Sequence, residues 1–531
     1  MSDPVQPTPG RFVVPANRAL VVVCVMLATL MQALDNTIAN VALPYMQGSL
    51  SATPDQITWV LTSYVVAAAI FTAPVGWLAA RFGRRNFFIV CLVGFTAASM
   101  LCGIATNLSQ IVAFRLLQGM FGAALVPLSQ ATMLDLYPIE QRGSAMAMWG
   151  MGVMVGPILG PTLGGYLTDI YDWRWVFFIN VPFGILAVAG LWYFMTDTKR
   201  DAGLKFDWIG FGALGLALAA FQLMLDRGEQ KDWFHSTEIV AELVLAGLGF
   251  WLFILQSVIS EKPFIPMRIF RDTNFLMSFV IMFAIGMILL SSSALLPPYL
   301  QTLGHYSVRT TGLLMAPRGL GTMAAMVLAG RLTAKTDPRL LMAMGIAALC
   351  WSMWLMIDWT PEINVWALCS TTFLQGLGLG FVFIPLQVVS FATLDSRLRG
   401  DGAALLSLIR NVGSAVGISI SSFLLVQSTQ TMHARIAEGL TPYNRMLQSH
   451  GAALFWNDLN PAGLAGLNAE VTRQASIIAY ANDFKFLLWV SVPSVALLFL
   501  LRRPVAKPAV LAPTTATAPQ HAAVLDRGLP S

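Results

Sequence analysis

The 531-residue chain is 56% hydrophobic and only 11% charged, with a formal net charge of +5 and a mean hydropathy of +0.68. Soluble globular domains carry about 25% charged residues, so this composition excludes a soluble enzyme or nucleic-acid-binding protein and predicts an all-α integral membrane protein. Cys24, Cys91, Cys102, Cys350 and Cys369 all fall in apolar runs without a Cys-x-x-Cys pair, and the five histidines are scattered. Neither a disulfide framework nor a metal site is expected, and no cofactor is implied.

In chain order, residues 1–18 are polar and Pro-rich, an expected cytoplasmic tail. Apolar runs of span length then predict fourteen transmembrane helices, at 19–43, 55–80, 86–105, 108–131, 143–168, 175–196, 208–226, 237–259, 275–298, 309–331, 339–357, 364–391, 401–427 and 484–502. A long loop of about 428–483 precedes the last span, and within it "AEVTRQASIIAYANDF" reads as helical. The Pro/Ala/Thr-rich end, 506–531, is expected to be a disordered cytoplasmic tail. Most Lys and Arg residues, among them Arg18, Arg81, Arg84, Arg85, Arg142, Arg331, Lys335, Arg339 and Arg399, fall at the termini and in every second loop. That bias predicts that both termini are cytoplasmic.

The chain repeats itself. "GWLAARFGRR" (76–85) has a counterpart in "GRLTAKTDPR" (330–339); Arg142-Gly143 recurs as Arg399-Gly400, Gly156 and Gly160 as Gly413 and Gly417, and Leu117-Gln118-Gly119 as Leu374-Gln375-Gly376. Matches in the same order at nearly one offset predict two homologous halves of the same topology, the architecture of the major facilitator fold. The expected layout is a six-helix bundle over 19–200, two inserted helices over 201–262, and a second six-helix bundle over 263–505 that carries the 428–483 loop on the periplasmic side.

Further stretches give a resemblance. "LDNTIANVALP" (34–44), "GWLAARFGRR", "FRLLQGMFGAA" (114–124), "GPILGPTLGG" (156–165), "WRWVFFINVPFG" (173–184) and "LDRGEQKDWF" (225–234) resemble, over most of residues 19–430, motifs of the fourteen-span drug:proton antiporters of the major facilitator superfamily, the EmrB/QacA type. The resemblance implies proton-driven export of small hydrophobic toxic compounds from a bacterial inner membrane, in a tripartite assembly with a periplasmic adaptor and an outer-membrane channel. It marks Gly76, Arg81, Gly83, Arg84 and Arg85 as a cytoplasmic gate loop, and Gly156, Pro157, Gly160, Gly164 and Gly165 as the antiporter motif. Where the superfamily loop often has an aspartate, this chain has Ala80. The expected gate therefore rests on Arg81, Arg84, Arg85 and helix-end dipoles.

Asp35, Arg115, Arg318 and Arg410 are the clearest ionisable residues far from a span's end. A charge at the membrane centre costs about 2.5–3.5 kcal/mol on insertion scales. Span 1 runs outward and span 4 inward, which sets Asp35 and Arg115 both roughly 12 Å below the outer surface. They are candidates for a proton-coupling pair, or for a static ion pair that orients helices. Asn36 and Asn40 share a helix face and either line a cavity or join helices. Gln118, one turn from Arg115, is placed to orient it. Arg318 faces substrate or caps a carbonyl or helix end. No G-x-x-x-x-G-K-[ST], H-E-x-x-H or G-x-S-x-G motif occurs, so neither an ATP-driven pump nor a membrane hydrolase is supported. The alternatives are a proton-coupled exporter of one metabolite or siderophore-like compound, and a non-transporting receptor or scaffold.

Overall fold

The computed structural model describes residues 17–138, 141–196, 203, 206–260, 263, 265–333, 335–395, 398–440 and 461–501. Within its helices the side chains of Asn36, Pro54, Asp55, Pro157, Ile158, Pro161, Thr162, Val308 and Arg309 are also outside the described set. The expectations for Asn36 and Pro157, for nearly all of the N-terminal tail, and for the C-terminal tail and 441–460 therefore fall outside it.

The described residues are helical throughout, without strands. In chain order they form α1 (Arg18–Ser49), α2 (Pro54–Ile57), α3 (Trp59–Thr72), α4 (Val75–Phe82), α5 (Arg84–Ile104), α6 (Leu108–Gly122), α7 (Leu125–Leu136), α8 (Arg142–Ile170), α9 (Trp175–Phe178) and α10 (Asn180–Phe194). Then follow α11 (Trp208–Arg227), α12 (Thr237–Ile259), α13 (Thr273–Pro298), a π-turn (Tyr299–Leu303), α14 (Val308–Leu332), α15 (Pro338–Ile357), α16 (Val365–Ala392), α17 (Arg399–Glu438) and α18 (Pro461–Leu498). Twelve spans are long and apolar enough to cross a membrane, or thirteen when α3 and α4 count as one, bent by 59°. With the 29-residue α8 this set is compatible with fourteen.

Three expected spans are broken. Pro74 has no N–H to donate and ends the run that began at Trp59. Span 4 divides into α6 and α7 around Ala123–Ala124, and span 6 into α9 and α10 at Ile179. The largest difference lies at the far end of the chain. Residues 428–438 and 461–468, expected as loop, are helix, and 469–483, which read as helical between spans, continue into the last span: α17 runs 40 residues and α18 runs 38. At about 1.5 Å per residue both overshoot a hydrocarbon core of about 30 Å.

The packing repeats as the sequence does. α1 lies along α8 and α3 along α6, while α13 lies along α17 and α14 along α16. Gly156 and Gly160 let α8 meet the backbone and side chains of Ala33 and Thr37; their counterparts Gly413 and Gly417 let α17 meet Phe283 and Met287. At such crossings any larger residue would push backbones apart. Thr37 adds a hydrogen bond, its Oγ1 donating to the Gly156 carbonyl at 3.0 Å. α11 and α12 pair with each other, and α11 touches both α3 and α17, with the Ser419 hydroxyl donating to the Leu225 carbonyl at 2.9 Å. α11 thus bridges the first-set helix α3 and the second-set helix α17, with α12 packed on its other side.

The apolar core is single at one end and double at the other. At the end carrying Arg81–Arg85, here the basic end, one cluster joins both sets, with Val25, Leu125, Met146 and Trp149 packed into the same core as Met326, Phe383, Ile384 and Leu406. Toward the far end, Ile38, Val60, Ile111 and Phe177 form one cluster, and Leu295, Tyr299, Met353, Leu368 and Phe484 another. The bundle is closed at the basic end and parted at the far end.

Gly156→Val should lower the thermal unfolding midpoint in detergent by the equivalent of about 1–3 kcal/mol of overpacking. Gly165→Ala should leave it unchanged, because a Cβ there meets nothing within 4 Å. Equal midpoints for the two variants would refute the close α1–α8 crossing.

Candidate functional site: a buried acid–base network and its gate

Asn107 begins α6 by accepting from the Gln110 N–H at 2.9 Å, which sets Arg115 two turns into the helix. Gln118 follows at i+3 on the same face. Asn180 is the first residue of α10, just past the break at Ile179. Asp35 comes from the middle of α1. These side chains converge in the interior: Asp35 and Gln118 are 0% exposed, Arg115 and Asn180 1%.

Arg115 Nη1 donates to Asp35 Oδ2 at 2.6 Å. Gln118 Nε2 donates to Asp35 Oδ1 at 2.8 Å and Asn180 Nδ2 donates to the same oxygen at 3.1 Å. Arg115 also gives Nε to the Val60 carbonyl (3.0 Å) and Nη1 to Gln118 Oε1 (2.8 Å). Its guanidinium lies 4.2 Å from the Tyr64 ring centroid, a cation–π contact in a desolvated setting. Asn180 Nδ2 further donates to Ser99 Oγ (3.1 Å), whose hydroxyl donates to the Phe177 carbonyl (2.8 Å). α1, α3, α5, α6, α9 and α10 thus meet at one carboxylate. Asn180 was not singled out from the sequence; the available signal was a lone amide in the apolar run "WVFFINVPFG".

The other candidates lie elsewhere. Asn40 is exposed, outside this network. Arg318, 7% exposed, sits in the second set and donates to Ser293 Oγ (2.9 Å), Ser292 Oγ (2.9 Å) and the Leu289 carbonyl (3.0 Å). Those three acceptors are neutral. The repeat relates Arg318 to Tyr64, since Gly376 abuts the Arg318 carbonyl as Gly119 abuts that of Tyr64.

At the basic end, Gly83 joins α4 to α5 with φ 85°, a conformation that favours glycine. The turn presents Arg84 to Asp135 at the end of α7, and Asp135 Oδ1 in turn lies 3.2 Å from Arg399 Nη1 of α17. Arg85 donates to the Trp192 carbonyl, and Arg81 is half-buried. An acid is therefore present in the gate although position 80 is alanine. Asp135, distant in sequence, is clasped between Arg84 of the first set and Arg399 of the second. Gly76 abuts Asp401, and Gly143 abuts Gly330, so the repeated loops cross over to the opposite set. Deeper in, Gln130 Nε2 donates to Gln387 Oε1 at 2.5 Å and Trp149 stacks on Phe383 at 6.1 Å.

Two helical sets joined at one end, parted at the other and enclosing a buried ion pair have the build of a membrane transporter. The chain belongs to the Major Facilitator Superfamily, whose model matches residues 25–418. It is 34% identical over 480 residues to the multidrug export protein EmrB of Haemophilus influenzae, covering 89% of this chain and 92% of that one. It is also 34% identical to the fatty acid resistance protein FarB of Neisseria gonorrhoeae (88% and 93% covered) and 32% identical to EmrB of Escherichia coli K12 (90% and 93%). Among solved structures, the human organic anion transporter MFSD10 shares the fold, with a TM-score of 0.56 at 15% identity over 89% of this chain and 99% of that one.

Removing one partner of a buried pair strands the other. Arg115→Gln should cost about 3–5 kcal/mol of stability, and the double variant with Asp35→Asn should lose less than the two single losses combined. Additive losses in a double-mutant cycle of thermal unfolding would show that the pair is not coupled.

Proposed function

We propose that this chain is a proton-coupled efflux transporter that exports small hydrophobic toxic compounds by alternating access, with Asp35 as proton carrier and Arg115 as the group that tunes it. The observation that carries the reading is the Asp35–Arg115–Gln118–Asn180 network, enclosed in a bundle closed at the basic end. By the positive-inside rule the basic end faces the cytoplasm of a bacterial cell, both termini lie there, and the described conformer faces outward. The first bundle holds α1–α10 and the second α13–α18, with α11 and α12 inserted between them.

In this conformer Asp35 is matched by a cation and two amide donors. Rocking the bundles shifts α1 against α6 and α10, and any lengthening of the pair leaves a charge in a low-dielectric site. A proton taken up by the carboxylate removes that charge. Substrate and proton then occupy the cavity alternately, so the downhill entry of protons drives export. The Arg84–Asp135–Arg399 clasp and the Gln130–Gln387 bridge hold the cytoplasmic side shut while the far side is parted, and both must open for substrate to enter.

The likeness to multidrug exporters supports a permissive apolar cavity. Arg318, a buried cation with neutral partners, supports amphipathic acids among the substrates. The overshooting ends of α17 and α18 form a surface on the periplasmic side that suits an adaptor protein, and through it an outer-membrane channel.

Two measurements test this reading. In a pump-deleted host the chain should raise tolerance to several unrelated hydrophobic compounds; protection against a single compound would point instead to a dedicated metabolite exporter. Asp35→Asn should abolish proton-gradient-driven transport in proteoliposomes, and full coupling in that variant would remove Asp35 from the carrier role. For the gate, Asp135→Asn should reduce disulfide cross-linking between cysteines placed at Gln130 and Gln387, because loss of the clasp favours the opened state.

A further inference from the structure

A second carboxylate lies buried far from Asp35. Asp483 of α18 is 0% exposed, and among the described residues neither of its oxygens has a hydrogen-bond partner. This is the reverse of Asp35, which accepts from three side-chain groups. Its neighbours in sequence, Tyr480 and Phe484, belong to the apolar cluster of the second set, with Leu295, Tyr299, Met353 and Trp359. A bare carboxylate in such surroundings carries a large desolvation penalty, while a neutral carboxylic acid carries a much smaller one.

The surroundings offer a route for a proton. Tyr480 stands one turn before Asp483 on the same helix face and within electrostatic range of it. Its ring meets Tyr299 edge-on at 5.2 Å, and the buried Tyr299 hydroxyl has no hydrogen-bond partner among the described residues either. Tyr299 opens the π-turn that follows Pro297 and Pro298; such irregular turns cluster at functional sites. On the other side Tyr480 lines a cavity of about 290 Å³ together with Thr302, Thr429, Gln430 and Ser476. Leu425 and Val426 make much of its wall apolar, and the hydroxyl and amide groups of the other lining residues bring polar atoms within one helical turn of the unpartnered acid.

Charged groups on the packed elements leave Asp483 unmatched. α15 ends at the exposed Asp358; α17 carries Arg410 toward the basic end and His433, Arg435 and Glu438 beyond the cavity; α18 itself carries Lys485 and the Glu470–Arg473 pair. Among the described residues none of these forms an ion pair with Asp483.

We propose that Asp483 is a second proton-binding site, which exchanges its proton with the far-end solvent past Tyr480 and the adjoining cavity. The step is simple protonation: the carboxylate takes a proton from external water and returns it there, with no other bond made or broken. It rests on the proton-driven reading for its place in transport. Asp35 would then couple within the first bundle, while Asp483 would set the protonation state of the second.

The test reads the proton itself, so its failure is separable from a failure of transport. The full chain, isotopically labelled at aspartate carboxyl carbons, is reconstituted in lipid vesicles and titrated from alkaline to acid by infrared difference spectroscopy. A protonated-aspartate component that grows with acid should be shared by the wild type and Asp35→Asn and be missing from Asp483→Asn, which keeps the bands of Asp35 and the other aspartates. Should Asp483→Asn fail to accumulate, Asp483→Glu serves: that component should vanish from the aspartate-labelled sample and a new one appear under glutamate label. An unchanged aspartate band in Asp483→Asn or Asp483→Glu would overturn the proposal. So would a band that depends on Asp483 but never changes with pH, since that acid would be a fixed structural group.

Discussion

A carboxylate and a guanidinium taken out of water together constrain everything around them. Each alone in the interior carries a penalty of several kcal/mol, so the fold must deliver both to one point and satisfy what the pair leaves over. Here α1 brings Asp35 and α6 brings Arg115 to 2.6 Å. Gln118 and Asn180 fill the second carboxylate oxygen, and the Val60 carbonyl and Tyr64 ring fill the remaining faces of the guanidinium. The arrangement is fully satisfied in one conformer, and motion of any of the contributing helices disturbs it. A group so placed is well suited to sense which way the bundle is open.

The same logic of matched ends governs the gate. Asp135 stands between Arg84 and Arg399, so a single acid ties a loop of the first set to a helix start of the second. Beneath it the closure is apolar and amide-mediated, with Trp149 on Phe383 and Gln130 on Gln387. At the far end no comparable shared core exists; the apolar clusters are separate. Charge holds the rim of the closed end and dispersion holds its depth. That end is thus held by one ion-pair clasp and one apolar seam.

The second set carries the repeat of the first without its chemistry. Tyr64 has Arg318 as its counterpart, and Gln118 has Gln375, yet the counterpart of the Asp35 helix, α13, offers serines where the first set offers an acid. One ancestral packing scheme thus supports an ion pair on one side and an uncompensated cation on the other. Such asymmetry gives a two-fold scaffold one flank with a matched charge pair and one with a lone cation held by neutral acceptors.

Membrane class, helix number within a few breaks, the internal repeat and the Asp35–Arg115 pairing were legible in the sequence. Each leaves a one-dimensional trace: span-length apolar runs, repeated glycines, and ionisable residues too far inside a span to be accidental. The repeat and the motifs also marked the close-approach glycines, because a position that admits no side chain recurs as glycine in both copies. What only the tertiary structure decided is contact between residues distant in the chain. Asn180 joins Asp35, Asp135 meets Arg84 and Arg399, and Asp483 has no partner among the described residues, though as letters these are a common amide and two ordinary acids. The extension of α17, and the continuity of the helical-looking 469–484 with the last span, were likewise hidden, because polar helices lack the apolar signature that marks a span. Which end is shut was hidden too: that depends on how two similar bundles lean together, and both leanings are compatible with one sequence.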